Sequence, residues 1–166
     1  MMNSKKYLEI FTHAFQYLDS NRLQQMQLQV AVGEILDSVY LKIFKTSWCH
    51  PAEDPLTART RIFFSVWLND EALSGQKLFY NIHAFKLREL PGHKIESRKF
   101  AVLFRKNFGP YTSSWKNVSV AFGPLTLMEG WVPIDPGHFQ HEVAGLANKF
   151  LEIAPLIDDT LGAFKK

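Results

Sequence analysis

The sequence has little of what would staple, anchor or obviously activate a protein. It carries one cysteine, Cys49, in 166 residues, which rules out an internal disulfide framework. No apolar run approaches the roughly 20 residues of a membrane-spanning helix. The start, Met1-Met2-Asn3-Ser4-Lys5-Lys6, leads into an amphipathic stretch rather than the continuous apolar core of a secretory signal. With one thiol and no such signal, the expectation is a reduced, cytoplasmic protein that does not enter a membrane. Charge of one sign is also scarce: a net +3 with a pI near 9.0 is a weak field that compels no acidic partner. Gly-x-Ser-x-Gly, a phosphate-binding loop and a dinucleotide fingerprint are all missing.

What the chain does have is apolar and aromatic content, 46% and 14%, with fourteen phenylalanines and four tryptophans. That excludes a disordered tail and suits one domain over residues 1–166. Tyr7, Leu8, Phe11, Ala14, Phe15 and Leu18 form one helical stripe over 5–18, with Ser4 placed to cap it. Residues 22–37 fit two periods. Met26, Leu28, Val30 and Val32 alternate as in a strand, while Leu28, Val32, Ile35 and Val39 make a helical stripe. The glutamines tip the reading toward a second helix.

After Ser38 alternation is clearer. Segments 38–48, 61–69 and 77–87 read as strands joined by loops too short for crossover helices, hence an antiparallel meander. A helix is expected over 96–108, closed by Gly109-Pro110. Two short strands are expected at 118–122 and 125–134, then a helix over roughly 138–153 that Pro155 ends or kinks. The fold class is therefore α+β: a single domain with an antiparallel sheet of about five strands. N-terminal, internal and C-terminal helices pack on it, in the approximate order α(α)βββαββα. This order is topology alone and carries no function.

Four constellations invite a functional reading. Trp67, Tyr80, Asn81 and His83 in the central strands, with Glu129 in Leu127-Met128-Glu129-Gly130-Trp131, place polar groups within an aromatic surface. Such groups either line a small-molecule pocket or are hydrogen-bonded core residues. Between residues 86 and 106, seven cations face two glutamates, an excess larger than the whole chain's. Lys94, Arg98, Lys99, Arg105 and Lys106 form a candidate anion-binding stripe, although a solvated helix face is the commoner origin of such a pattern. His138 and His141 are three apart at the start of the last helix, with Glu142 beside them, a spacing two metal-bound imidazoles can use. The metalloprotease signature itself fails, since Gly145 stands where its second histidine would be. Cys49-His50 suggests a nucleophile, but neighbours in a strand point to opposite faces.

The leading expectation is non-catalytic binding of a small molecule or a protein partner through an aromatic-rich sheet face, with a homodimer as one way of covering it. Nucleic-acid or phosphate binding by the basic segment and metal-assisted hydrolysis by His138, His141 and Glu142 are the alternatives. No particular cofactor is indicated.

Overall fold

The computed structural model describes residues 1–166. Its centre is one sheet of five antiparallel strands in meander order: β1 (Gln29–Ile35), β2 (Ser38–Phe44), β3 (Arg61–Leu68), β4 (Lys77–Phe85) and β5 (Thr126–Pro133). Alternation sorts their side chains onto two faces. Val39, Leu41 and Ile43 of β2, Ile62, Phe64, Val66 and Leu68 of β3, and Leu78, Tyr80, Ile82 and Ala84 of β4 are buried on one face. There they join a single core cluster with helices α1 (Ser4–His13), α4 (Ser97–Phe108) and α5 (Phe139–Ala163). Phe64 stacks on Phe150 of α5 at 4.4 Å between ring centroids, and Phe104 stacks on Phe108 within α4 at 5.8 Å.

Side-chain oxygens hold the corners. Asn3, rather than Ser4, caps α1, accepting from the Lys6 N–H. Asp19 caps the short α2 (Ser20–Gln25), and Asn69 caps α3 (Asp70–Ser74) in the β3–β4 connection. Asn148 of α5 donates to the Tyr17 carbonyl and accepts from the Asp19 N–H, tying the α1–α2 corner to α5. Asp158 accepts from Trp48 Nε1 at 2.8 Å and pairs with Lys45 at 2.6 Å, fastening the segment after β2 to the same helix.

Two glycines sit under tyrosines across neighbouring strands. Gly33 of β1 opposes Tyr40, and Gly130 of β5 opposes Tyr80. A Cβ built on Gly130 would lie 2.2 Å from the Tyr80 hydroxyl, and one on Gly33 would lie 2.7 Å from that of Tyr40. Each ring covers the bare backbone of its neighbour, a pairing that fixes strand register.

The sheet, its helical cover and the single α+β arrangement agree with the expected class. Three elements differ. Within 22–37 the helix stops early, because Asp19 caps only a six-residue α2 and Gln27 turns to φ 59; residues 29–35 then pair with β2. Residues 118–122 form no strand. They make one bridge, Ser119 to Glu129, after which the Ser119 hydroxyl accepts from the Ala121 N–H and turns the chain away. The strand count survives because β1 replaces this segment. Finally, α5 runs through Pro155 to Ala163. The proline ring is exposed, while Ile153, Ala154 and Ile157 beside it are buried, so packing overrides the lost backbone bond.

Candidate functional site on the open face of the sheet

No helix covers the second face of the sheet, and strand register lays its side chains out in rows. The middle row is polar: Lys42, Ser65, Asn81 and Glu129 stand directly opposite one another across β2, β3, β4 and β5. Tyr40, Trp67, Phe79 and Trp131 form the row on one side; Phe63, His83 and Thr126 lie on the other. Beyond them Arg61 opposes Phe85. The middle row is sunk between its aromatic neighbours: Lys42 is 8% exposed, Ser65 4% and Asn81 2%. A shallow, open hollow of about 390 Å³ lies over it, bordered by Tyr40, Phe63, Trp67, His83 and Phe85.

The row is partly wired. Ser65 Oγ donates to Asn81 Oδ1 at 2.6 Å, and Asn81 Nδ2 donates to Glu129 Oε1 at 3.2 Å. This orients the Asn81 amide and holds the Glu129 carboxylate at one end. His83 Nδ1 lies 3.3 Å from the Leu125 carbonyl. A carbonyl only accepts, so Nδ1 carries the proton and Nε2 is left as an acceptor. Burial holds the His83 imidazole below its usual pKa range despite that hydrogen bond, with Lys42 and Arg61 adding to the effect.

The other end of the row is not wired. The Lys42 ammonium makes neither a hydrogen bond nor an ion pair; its neighbours are the rings of Tyr40 at 4.3 Å and Phe63 at 4.7 Å. Burial, then the nearby Arg61 charge, lowers its pKa from 10.5 to about 8. The Arg61 guanidinium lies over Phe63 and Phe85, at 5.3 and 5.0 Å. One of its nitrogens bonds the Ala58 carbonyl, but the buried Nε has no acceptor. The buried Nε1–H of Trp67, whose ring stacks on Phe79 at 4.7 Å, has none either.

Of the residues singled out in the sequence, Trp67, Asn81, His83 and Glu129 thus meet on one cavity wall. Tyr80 does not. It sits one position out of phase, on the helix-covered face, fully buried and donating to the Lys116 carbonyl. Lys42 and Arg61 belong to the site and were not singled out. The available signal was parity: Tyr40, Lys42 and Phe44 share one face of a strand, so the lysine lies among aromatics.

The chain was compared with models of known protein families, with curated proteins and with solved structures. It matches none of them.

The basic stripe is split by the fold. Arg105 turns inward and donates to the carbonyls of Leu127, Phe122, Gly123 and Thr126 at 2.9–3.1 Å, locking the loop before β5. Lys99 pairs with Glu96, and Lys94 and Lys99 border a surface hollow with Arg88 and Lys166. Arg98 and Lys106 are exposed. His138 and His141 are 6.5 Å apart between ring centroids. The first is bound to Asp135 at 2.9 Å, and the second packs on Tyr17 at 4.2 Å. Glu142 accepts from the Asp135 backbone N–H. No three His, Cys, Asp or Glu side chains are grouped to hold a metal. Cys49 is buried, its thiol donates to the Thr46 carbonyl at 3.2 Å, and burial raises its pKa, with Asp54 and Glu53 adding to that effect. That environment favours an inert thiol over a nucleophilic thiolate.

Proposed function

We propose that the open sheet face is a binding site for a small molecule with a flat apolar body, lodged between the two aromatic rows above Ser65 and Asn81. One observation carries this reading. The polar row lies at the floor of a shallow hollow between aromatic rows, and two buried donors beside it, Arg61 Nε and Trp67 Nε1, are unpaired, whereas a protein-docking face presents a more uniformly apolar patch. The rings supply contact area with few rotors to freeze, and the Ser65–Asn81–Glu129 chain supplies fixed polar points. No nucleophile–base pair is assembled here, so binding is the chemistry the arrangement supports.

The test is an NMR titration of the protein with a library of small aromatic compounds, following the Trp67 indole N–H. Ligands should move that signal together with the Ser65 and Asn81 resonances and leave those of α4 and α5 in place. Shifts scattered over the surface, or none at all, would refute the reading. So would an indole signal that changes with protein concentration alone, because a second copy of the chain would then be covering the face.

A further inference from the structure

We infer that the ligand of this face is a small organic anion whose charged group is received by Lys42, with Arg61 close by. The inference rests on the small-molecule reading above and adds the ligand's charge and orientation.

Three features point the same way. The first is unbalanced hydrogen-bonding capacity. Lys42, Arg61 Nε and Trp67 Nε1 all lack acceptors. At the opposite end Glu129 Oε1 and Asn81 Oδ1 already receive bonds from Asn81 and Ser65, and the free acceptors that remain, Glu129 Oε2 and His83 Nε2, belong to β5 and β4. A group that fills the vacant end must accept, and buried donors that find an acceptor gain most from a charged one. The second is charge. Lys42 and Arg61 are two cations on the cavity wall against one carboxylate, Glu129, at the far end of the row. His83 lies between them with its pKa lowered and adds no charge near neutrality. An anion is therefore drawn to the β2 side and repelled from the β5 side. The third is that Lys42, only 8% exposed as a residue, carries its ammonium without a counter-charge. A buried cation flanked only by rings is costly to leave uncompensated, and a bound anion supplies the missing partner.

The experiment compares 2-naphthoate with its neutral isostere 2-naphthamide by titration calorimetry at pH 7. Wild type is set beside Lys42→Met and Lys42→Arg, with thermal unfolding confirming that each variant is folded. The naphthoate should bind wild type about tenfold or more tightly than the amide, the gain expected of one charge-assisted hydrogen bond. Lys42→Met should remove that preference, and Lys42→Arg should retain most of it. Wild type alone gives a second measurement that needs no variant. Naphthoate affinity should fall as pH rises from 7 to 10 and the ammonium is lost, while amide affinity stays level. The other ionisable or charged groups facing Lys42 are Arg61, which stays charged, His83, whose imidazole is held neutral by burial, Tyr40 on its own strand and Glu129 at the far end of the row. Equal binding of the two probes, or a preference that survives Lys42→Met, would overturn the anion inference while leaving the binding site standing. Failure of both probes to bind would overturn the inference and the reading beneath it.

Discussion

Replacing Lys42 by methionine should stabilise the empty protein, and the size and pH dependence of the gain follow from the lysine's surroundings. Folding moves its pKa from 10.5 to about 8, which corresponds to about 3 kcal/mol against the charged form at pH values below both, cut to about 2 kcal/mol by the water that still screens the ammonium. The rings of Tyr40 and Phe63 return about 1 kcal/mol through their faces. A methionine of similar length fills the same space with no charge to desolvate. The net gain at pH 6.5 is about 1 kcal/mol, or roughly 2–4 °C in melting temperature for a domain of this size. The sign with pH is fixed by proton counting. Between pH 8 and 10.5 the unfolded chain holds its lysine proton and the folded chain does not, so wild-type stability rises across that window. The Lys42→Met protein lacks this contribution, and the gap between the two should close as pH approaches 10.5. Urea unfolding of both proteins at half-unit steps from pH 6.5 to 10.5 measures the difference and cancels groups common to both. Curves that run parallel across this range, or a variant less stable than wild type at pH 6.5, would refute the account of a desolvated, uncompensated ammonium.

Gly130→Ala should cost more than 2 kcal/mol, because its new methyl meets the wholly buried Tyr80 hydroxyl at 2.2 Å. Gly33→Ala should cost clearly less, since Tyr40 is only half-buried and can swing aside; equal losses in chemical denaturation would contradict this. Arg105→Ala should lose about 2–3 kcal/mol by stranding the carbonyls it gathers. Arg105→Lys should recover little of that, whereas Arg98→Ala should be silent in the same thermal melts. Pro155→Ala should stabilise by about 1 kcal/mol or more, as it restores a backbone donor in the middle of α5 at an exposed position; an unchanged or lower melting temperature would show that the ring itself is needed.

The class of fold was legible because alternation survives wherever one sheet face is sealed. Val39, Leu41 and Ile43, then Ile62, Phe64 and Val66, mark their strands without help. Legibility failed where two local tendencies compete. Residues 22–37 carry both periods at once, and a helix-breaking backbone at Gln27 decided between them; no propensity marks glutamine for that conformation. Val118 to Phe122 has strand composition, but one serine hydroxyl bends it out of register after a single bridge. At the site, Asn81, His83, Trp67 and Glu129 were visible as polar or amphipathic residues in apolar runs, while Tyr80 shows that a parity error of one residue reverses the face. Lys42 was overlooked because a lysine in an alternating strand ordinarily marks the wet side. The open side of this sheet is itself walled with rings, and only the pairing of four strands reveals how deep that position lies.

That α5 follows all five strands has a consequence for synthesis. All five strands leave the ribosome before residues 139–163, and the greasy side on which Phe64, Trp48 and Ile62 lie gets its longest lid last. Until Phe150 arrives to stack on Phe64, the nascent sheet offers that surface to any passing hydrophobic neighbour. Chains arrested short of this helix should therefore be the ones that seek chaperones or clump, even though every hairpin they need has already been made.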